Sequence, residues 1–267
     1  MKPKLIVSDI DGTFLTSAER VTPRLRKIVH RASKSATFVL ATGRPARWVF
    51  PVLEQLQIHP LCVCSNGAII YDSAADKILV NHSLQPDIMR EIVAKVRAQI
   101  PVTLAAERAG QRAEDKRDCF VTAYDFEHVW DSTEHIEQTD AELVSEPAVK
   151  LFLRNDRYTS AQLYDQISAI LPPSLGQLTY SLGEGILEVS ASGVTKASGL
   201  AEVSKILGIP ARDAIAFGDM RNDQEMLQWA GHGVAMGNAQ QALKDIADEV
   251  TTSLDDDGVA RVLERLF

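Results

Sequence analysis

Apolar residues fall into two rhythms along the chain, and the rhythm changes twice. The first rhythm is short aliphatic runs separated by helical stretches. Residues 5–7 form a β-branched and aliphatic run, as a strand buried on both faces requires. Residues 37–41 (TFVLA) and 61–65 (LCVCS) repeat it. Between the first two runs, Thr22 and Pro23 supply an N-cap and a first-turn proline, and Leu25, Ile28, Val29 and Ala32 recur at helical spacing. Residues 45–57 predict a second helix, interrupted or kinked at Pro51. Residues 68–80 predict a hairpin, AIIYD and KILV about a polar turn.

From about Leu84 the second rhythm takes over. Residues 87–99 predict a helix with Ile88, Ile92, Val93 and Val96 on its apolar side. Strands are predicted at 102–106, 120–124 and 148–153, a helix at 160–171 ended by Pro172 and Pro173, and a hairpin pairing 178–182 with 186–189. Helices mixed with antiparallel strands predict a separate α+β unit. Near residue 190 the first rhythm returns. Thr195 caps a helix whose Leu200, Val203, Ile206 and Leu207 face inward and which Gly208 ends. A strand at 214–217 follows. Asn222 and Asp223 open the next helix, which carries Met226 and Leu227. Residues 233–236 are a strand, Asn238 caps another helix, residues 249–251 are the last strand, and Asp255, Asp256 and Asp257 precede a terminal helix.

Strands alternating with helices imply a parallel sheet with right-handed crossovers, whose ligands bind at the carboxyl ends of the strands. Four of the predicted strands end in chemically capable groups: Asp9, Thr42, Asn66 and Asp219. Asp9 and Asp11 stand one residue apart after a buried run, where repulsion and desolvation call for a bound cation. A solvated turn is the plain alternative for the same DxDG string. Asp219 and Asp223 give a second acidic pair, so one cation could bridge Asp9 and Asp219. Lys196 opens a helix, where ammonium and amides together favour a phosphate, although a solvated first-turn lysine reads the same way. Thr42 and Gly43 offer a hydroxyl and a close backbone approach; a simple turn is the alternative. Together these groups suit phosphoryl transfer by a carboxylate nucleophile, with the neighbour two residues on moving the proton.

Composition narrows the class. The chain has 267 residues, 45% hydrophobic and 24% charged, which fits a globular protein with a real core. A net charge of −8 argues against nucleic acid and anionic membrane surfaces as partners, yet a local cation can still hold an anionic substrate. No apolar run reaches spanning length, and MKPK leads straight into a strand. An odd count of 3 cysteines predicts reduced thiols in the cytoplasm, with Cys62 and Cys64 as core. Trp48, Trp130, Trp229, Met226 and Met236 are read as packing residues. Arg108, Arg112, Lys116 and Arg117 could meet an anionic substrate. Interleaved Glu107, Glu114, Asp115 and Asp118 make a solvated charged loop the alternative.

DIDGT at 9–13, Thr42-Gly43-Arg44, Lys196 within GVTKASGL and GDMRNDQEM at 218–226 resemble, in that order, the four motifs of the haloacid dehalogenase superfamily. SNGA at 65–68, VAMGNA at 234–239 and DDGVA at 256–260 are similar to strings of its Cof-like phosphatases. Only Phe14, where a leucine is commoner, departs from the pattern. The resemblance implies a Rossmann-like parallel-sheet core (1–83 and 190–267) with an α/β cap inserted at 84–189 that selects the substrate. It implies Asp9 as nucleophile and Asp11 as general acid/base. Mg²⁺ would be held by the Asp9 carboxylate, the Asp11 backbone carbonyl and Asp219. Thr42, Gly43, Lys196 and Asn222, with the Ile10 and Asp11 backbone, would hold the phosphoryl group, and Asp223 would support the metal site. Arg44 and Asn66 count as supporting residues. The expected activity is a Mg²⁺-dependent phosphatase for small phosphorylated metabolites, working as a monomer or small homo-oligomer. A phosphomutase of the same superfamily and a non-catalytic phosphate sensor are the alternatives.

Overall fold

The computed structural model describes residues 2–113, 119–127, 135–181 and 183–267. The chain forms two compact units, Met1–Leu79 with Thr195–Phe267, and Val80–Val194. These boundaries fall a few residues from those expected at 83/84 and 189/190. Leu84 makes a β-bridge to Ala148, and Ala191 packs on the core of the second unit.

The first unit begins with β1 (Leu5–Ser8), α1 (Pro23–Ala32), β2 (Thr37–Ala41), α2 (Phe50–Leu56), β3 (Leu61–Cys64), β4 (Ile69–Asp72) and β5 (Lys77–Asn81), the last crossing into the second unit. Thr22 caps α1, its Oγ1 accepting from Leu25 N at 3.1 Å. The helix expected over 45–57 is two pieces, a 3₁₀ turn at Ala46–Trp48 and then α2. The helix is thus interrupted rather than kinked, and the break falls just before Pro51, which sits in the first turn of α2, where its missing N–H leaves no hydrogen bond unmade.

The second unit runs α3 (Pro86–Arg97), β6 (Thr103–Glu107), β7 (Phe120–Ala123), β8 (Ile136–Gln138), α4 (Asp140–Leu143), β9 (Lys150–Arg154), α5 (Ser160–Ser168), β10 (Gln177–Thr179) and β11 (Ile186–Ser190). Its sheet has the order β10-β11-β9-β6-β7-β8, antiparallel except for β7 with β8. Met89, Ile92 and Val96 of α3 and Leu163 and Ile167 of α5 pack with Leu104, Leu151, Leu153 and Leu187 of the sheet in one apolar cluster. β8 and α4 escape the sequence reading: β8 is three mostly exposed residues, and α4 is a single turn held by a Thr139–Glu142 capping box. The charged stretch is not uniformly solvated. Glu107 and Arg108 are buried, and Arg108 donates to the carbonyls of Glu142 and Leu143. Arg112 is exposed; 114–118, Trp130 and Leu182 lie outside the described residues.

The chain returns through α6 (Lys196–Leu207), β12 (Ala214–Gly218), α7 (Gln224–Trp229), β13 (His232–Ala235), α8 (Gln241–Lys244), β14 (Glu249–Val250) and α9 (Gly258–Leu266). The sheet of this unit has the order β14-β13-β12-β1-β2-β3-β4-β5, with β3 and β4 antiparallel and every pair from β14 to β3 parallel. Strands added after β1 run outward in one direction, and those added after α6 run outward in the other. Such a reversal opens a crevice at the strand ends, here beyond β1 and β12. Cys62, Cys64, Met226 and Met236 are buried, as their apolar neighbours suggest, and Trp48 and Trp229 are half-buried. Ile206, expected inside, is 53% exposed. Asn238 does not cap α8, whose N-cap is Gln240. Among the described residues no helix is long and apolar enough to cross a membrane.

Candidate active site

The site grows from the ends of β1 and β12. Asp9 follows β1, and its backbone N–H donates to Phe217 O of β12 at 3.0 Å. Lys196 is the first residue of α6, and Nζ donates to Asp9 Oδ1 at 2.6 Å and to Asp223 Oδ1 at 2.5 Å. A Thr195–Ser198 capping box fixes that helix start. The loop after β3 closes on it so tightly that a Cβ on Gly67 (φ +104°) would lie 2.0 Å from Thr195 O. Asp223 spends its other oxygen on the backbone, Oδ2 accepting from Asp219 N at 2.9 Å and Met220 N at 3.0 Å. Thr13 Oγ1 donates to Asp219 Oδ1 at 3.0 Å. A Cβ on Gly12 (φ +82°) would stand 2.2 Å from Asp219 Oδ2, so only glycine brings this loop against that carboxylate.

Three buried carboxylates thus surround one buried ammonium. Burial, then the charges of Asp223, Asp219 and Asp11, push Asp9 well above the usual carboxylate range, and Lys196 only partly counters them. Asp219 is pushed up to about 7, by burial first and Asp223 second. Burial alone would lower the Lys196 ammonium, but Asp223 and Asp9 hold it above its ordinary value. The cluster is short of positive charge. Ligand atoms of Asp9, Asp219 and Asp223 lie within 4.8 Å of one another. Both oxygens of Asp223 already have donors. The second oxygens of Asp9 and Asp219 have none among the described residues. Two open carboxylate oxygens in an electron-rich recess suit a hard divalent cation.

The remaining candidates surround this cluster. Asn222 Nδ2 donates to Asn66 Oδ1 at 3.0 Å, joining the loop after β12 to the loop after β3. Thr42, buried at the end of β2, accepts on Oγ1 from Arg44 N at 3.0 Å, and its carbonyl accepts from Asn66 N at 3.0 Å. Ile10 packs its side chain in the core, and Gly43 links Thr42 to Arg44. Asp11 stands apart: its side chain is 54% exposed and is gripped by the Arg44 guanidinium, Nε to Oδ2 at 2.8 Å and Nη2 to Oδ1 at 2.5 Å.

A family model described as haloacid dehalogenase-like hydrolase matches residues 6–263. The chain belongs to the haloacid dehalogenase-like hydrolases. Two relatives from Bacillus subtilis are 5-amino-6-(5-phospho-D-ribitylamino)uracil phosphatases. YitU is 29% identical over 273 residues, covering 100% of this chain and 98% of its own. YcsE is 28% identical over 264 residues, covering 97% and 94%. The solved structure of a haloacid dehalogenase-like hydrolase from B. subtilis shares the fold, with a TM-score of 0.82 and 22% identity over 99% of this chain and 100% of that one. This hydrolase is therefore an enzyme, and its named relatives are phosphatases. The structure brings Asp9, Lys196, Asp219 and Asp223 into one hydrogen-bonded group, sets Asn66 and Asn222 in a second, and leaves the Asp11 carboxylate outside both. Sequence reasoning passed over Thr13 as a site residue. The available signal was a hydroxyl two residues beyond Asp11, too common in turns to single out.

Proposed function

We propose that this hydrolase is a Mg²⁺-dependent phosphatase of small phosphorylated metabolites, working through an aspartyl-phosphate on Asp9. The observation that carries the reading is the buried Lys196 shared by Asp9 and Asp223 beside Asp219. One Asp9 oxygen would attack phosphorus, while the other would face Lys196 and the ion. Thr42, Gly43, Lys196, Asn222 and the Ile10 and Asp11 amides would hold the phosphoryl oxygens. The bond from phosphorus to the leaving oxygen breaks, and Asp11 gives that oxygen its proton. Asp11 then takes a proton from water, which attacks the acyl phosphate, frees inorganic phosphate and restores Asp9. For either step the Asp11 carboxylate must turn out of its pair with Arg44. Asp9, the Asp11 carbonyl and Asp219 would hold Mg²⁺. When bound, the ion would neutralise charge on the transferred group. The unit at 80–194 would choose the leaving group.

The two ribitylaminouracil phosphatases among the relatives support a phosphomonoester of a polyhydroxylated or ring-bearing metabolite. A phosphate-release screen should therefore include that ester with sugar phosphates, flavin mononucleotide and pyridoxal phosphate. Asp9→Asn is the decisive variant. It should keep the wild-type circular dichroism and reduce phosphate release on the best substrate to background. Turnover retained by Asp9→Asn rules out the covalent route.

A further inference from the structure

The VAMGNA string contributes nothing to the chemistry above, yet its loop touches both halves of the acidic site. Beyond the ends of β1 and β12 the chain leaves the sheet ladder, so other bonds must set where the two acidic loops sit. Asn238 Nδ2 donates to Gly12 O at 2.8 Å, and Asn238 Oδ1 accepts from Leu254 N at 3.0 Å. One end of the amide faces a carbonyl and the other an N–H, so its orientation is settled by its partners. Two residues on, Gln240 N donates to Asp219 O at 3.1 Å, and Met236 N donates to Gly218 O at 3.0 Å. The loop is itself braced, with Gly237 N donating to Thr252 O at 3.0 Å.

We propose that Asn238 is a positioning residue that sets the spacing of the Asp9–Thr13 loop against Asp219 and thereby how tightly the site holds a divalent cation. The inference rests on the reading that Asp9, the Asp11 carbonyl and Asp219 hold the ion. Gly12 is the pivot of that loop. It has a positive φ, it lies against the Asp219 carboxylate, and as glycine it has the most backbone freedom to lose. A bond on its carbonyl fixes the peptide next to the Asp11 carbonyl. Partners behind ligating groups change metal affinity by about 10–100-fold when removed. Asn238 is exposed and fills no core space, so its truncation should spare the fold. Asp255 is the natural comparator. It pins the same loop further along the chain, Oδ1 accepting from Ser17 N at 2.9 Å and Ser17 Oγ at 3.0 Å.

The test titrates the metal-free full-length protein with Mg²⁺ alone, followed by calorimetry and by the Mg²⁺-dependent rise in Tm. Asn238→Ala should weaken Mg²⁺ binding about tenfold, while Asp255→Ala stays within about twofold of wild type. Asn238→Asp keeps the side-chain shape and the Leu254 bond but removes the donor to Gly12. An added negative charge by itself would tighten Mg²⁺, so weaker binding here isolates the hydrogen bond. Asn238 variants that bind Mg²⁺ as wild type does overturn the proposal. Asp219→Asn separates the two levels: if it too binds as wild type does, the metal reading itself has failed.

Discussion

Lys196 shows how one side chain governs an electrostatically strained site. It is buried and is the ammonium bonded to two of the three clustered carboxylates. Replacing it with methionine keeps much of the volume and leaves Asp9 and Asp223 unpaired. Loss of one partner from a buried ionic group costs about 3–5 kcal/mol. Lys196→Met should lose stability of that order in metal-free buffer, measured by urea denaturation, and regain part of it with Mg²⁺. At this scale the sequence announces which residues are chemically able, not which partners they choose. Lys196 at a helix start reads equally as a solvated lysine, and only burial decides. Asp11 stands two residues from Asp9 in every reading, but its grip by Arg44 depends on a loop 33 residues away. Asn238 has the residue type of a helix cap and is used instead to tie Gly12 to Leu254, and the N-cap of the helix that follows lies two residues on, at Gln240.

Among the elements, α6 carries the most information. Helical spacing foresees Leu200 and Val203 inside, and both are. The same spacing foresees Ile206 inside, and it is solvent-facing. The deeply buried part of α6 is its first two turns, Lys196, Gly199, Leu200 and Val203, while the last turn emerges from the unit. Periodicity marks an apolar stripe but not how far along the helix its cover extends. Gly199 is the contact point: a Cβ there would lie 2.6 Å from Val63 Cγ1 and 3.0 Å from Gly67 Cα. Alanine is the better helix former by about 1 kcal/mol, but overpacking costs about 1–3 kcal/mol. Gly199→Ala should therefore destabilise the protein by about 1 kcal/mol, and by no more than about 2, in urea melts. It should also lower kcat, since Lys196 lies one turn before. β1, β2, β3 and β12 are legible for the opposite reason: each is a continuous apolar run cut short by a polar residue. The three residues of β8 carry no such run.

For the molecule as a whole, the raised carboxyl groups tie stability to pH. Asp219 titrates near its ordinary 3.8 when unfolded and at about 7 when folded. Between those values the folded state binds more protons, so metal-free stability is greatest below about pH 4 as far as this group is concerned and falls as pH rises through about 7. In EDTA, Tm should drop between about pH 5 and about pH 8, with a shallower drop in Asp219→Asn. Mg²⁺ should raise Tm more at the upper end, where the carboxylates it favours are already ionised. The two-unit layout was legible in outline because a parallel and an antiparallel sheet leave different periods. Its carboxyl-side edge was not, since a single small residue such as Ala191, which packs on the second core, has no local signature.

The order of strands also has a consequence during synthesis. β1 emerges from the ribosome well before its neighbour β12, which follows roughly two hundred residues later. At about 5–20 residues per second, one flank of β1 stays open for about 10–40 s. Nascent chains therefore present an unsatisfied strand edge that invites chaperone capture or misassembly. A nascent chain that lacks β12 also lacks Asp219 and Asp223, so the acidic group around Lys196 is complete only once β12 and the turn after it have emerged.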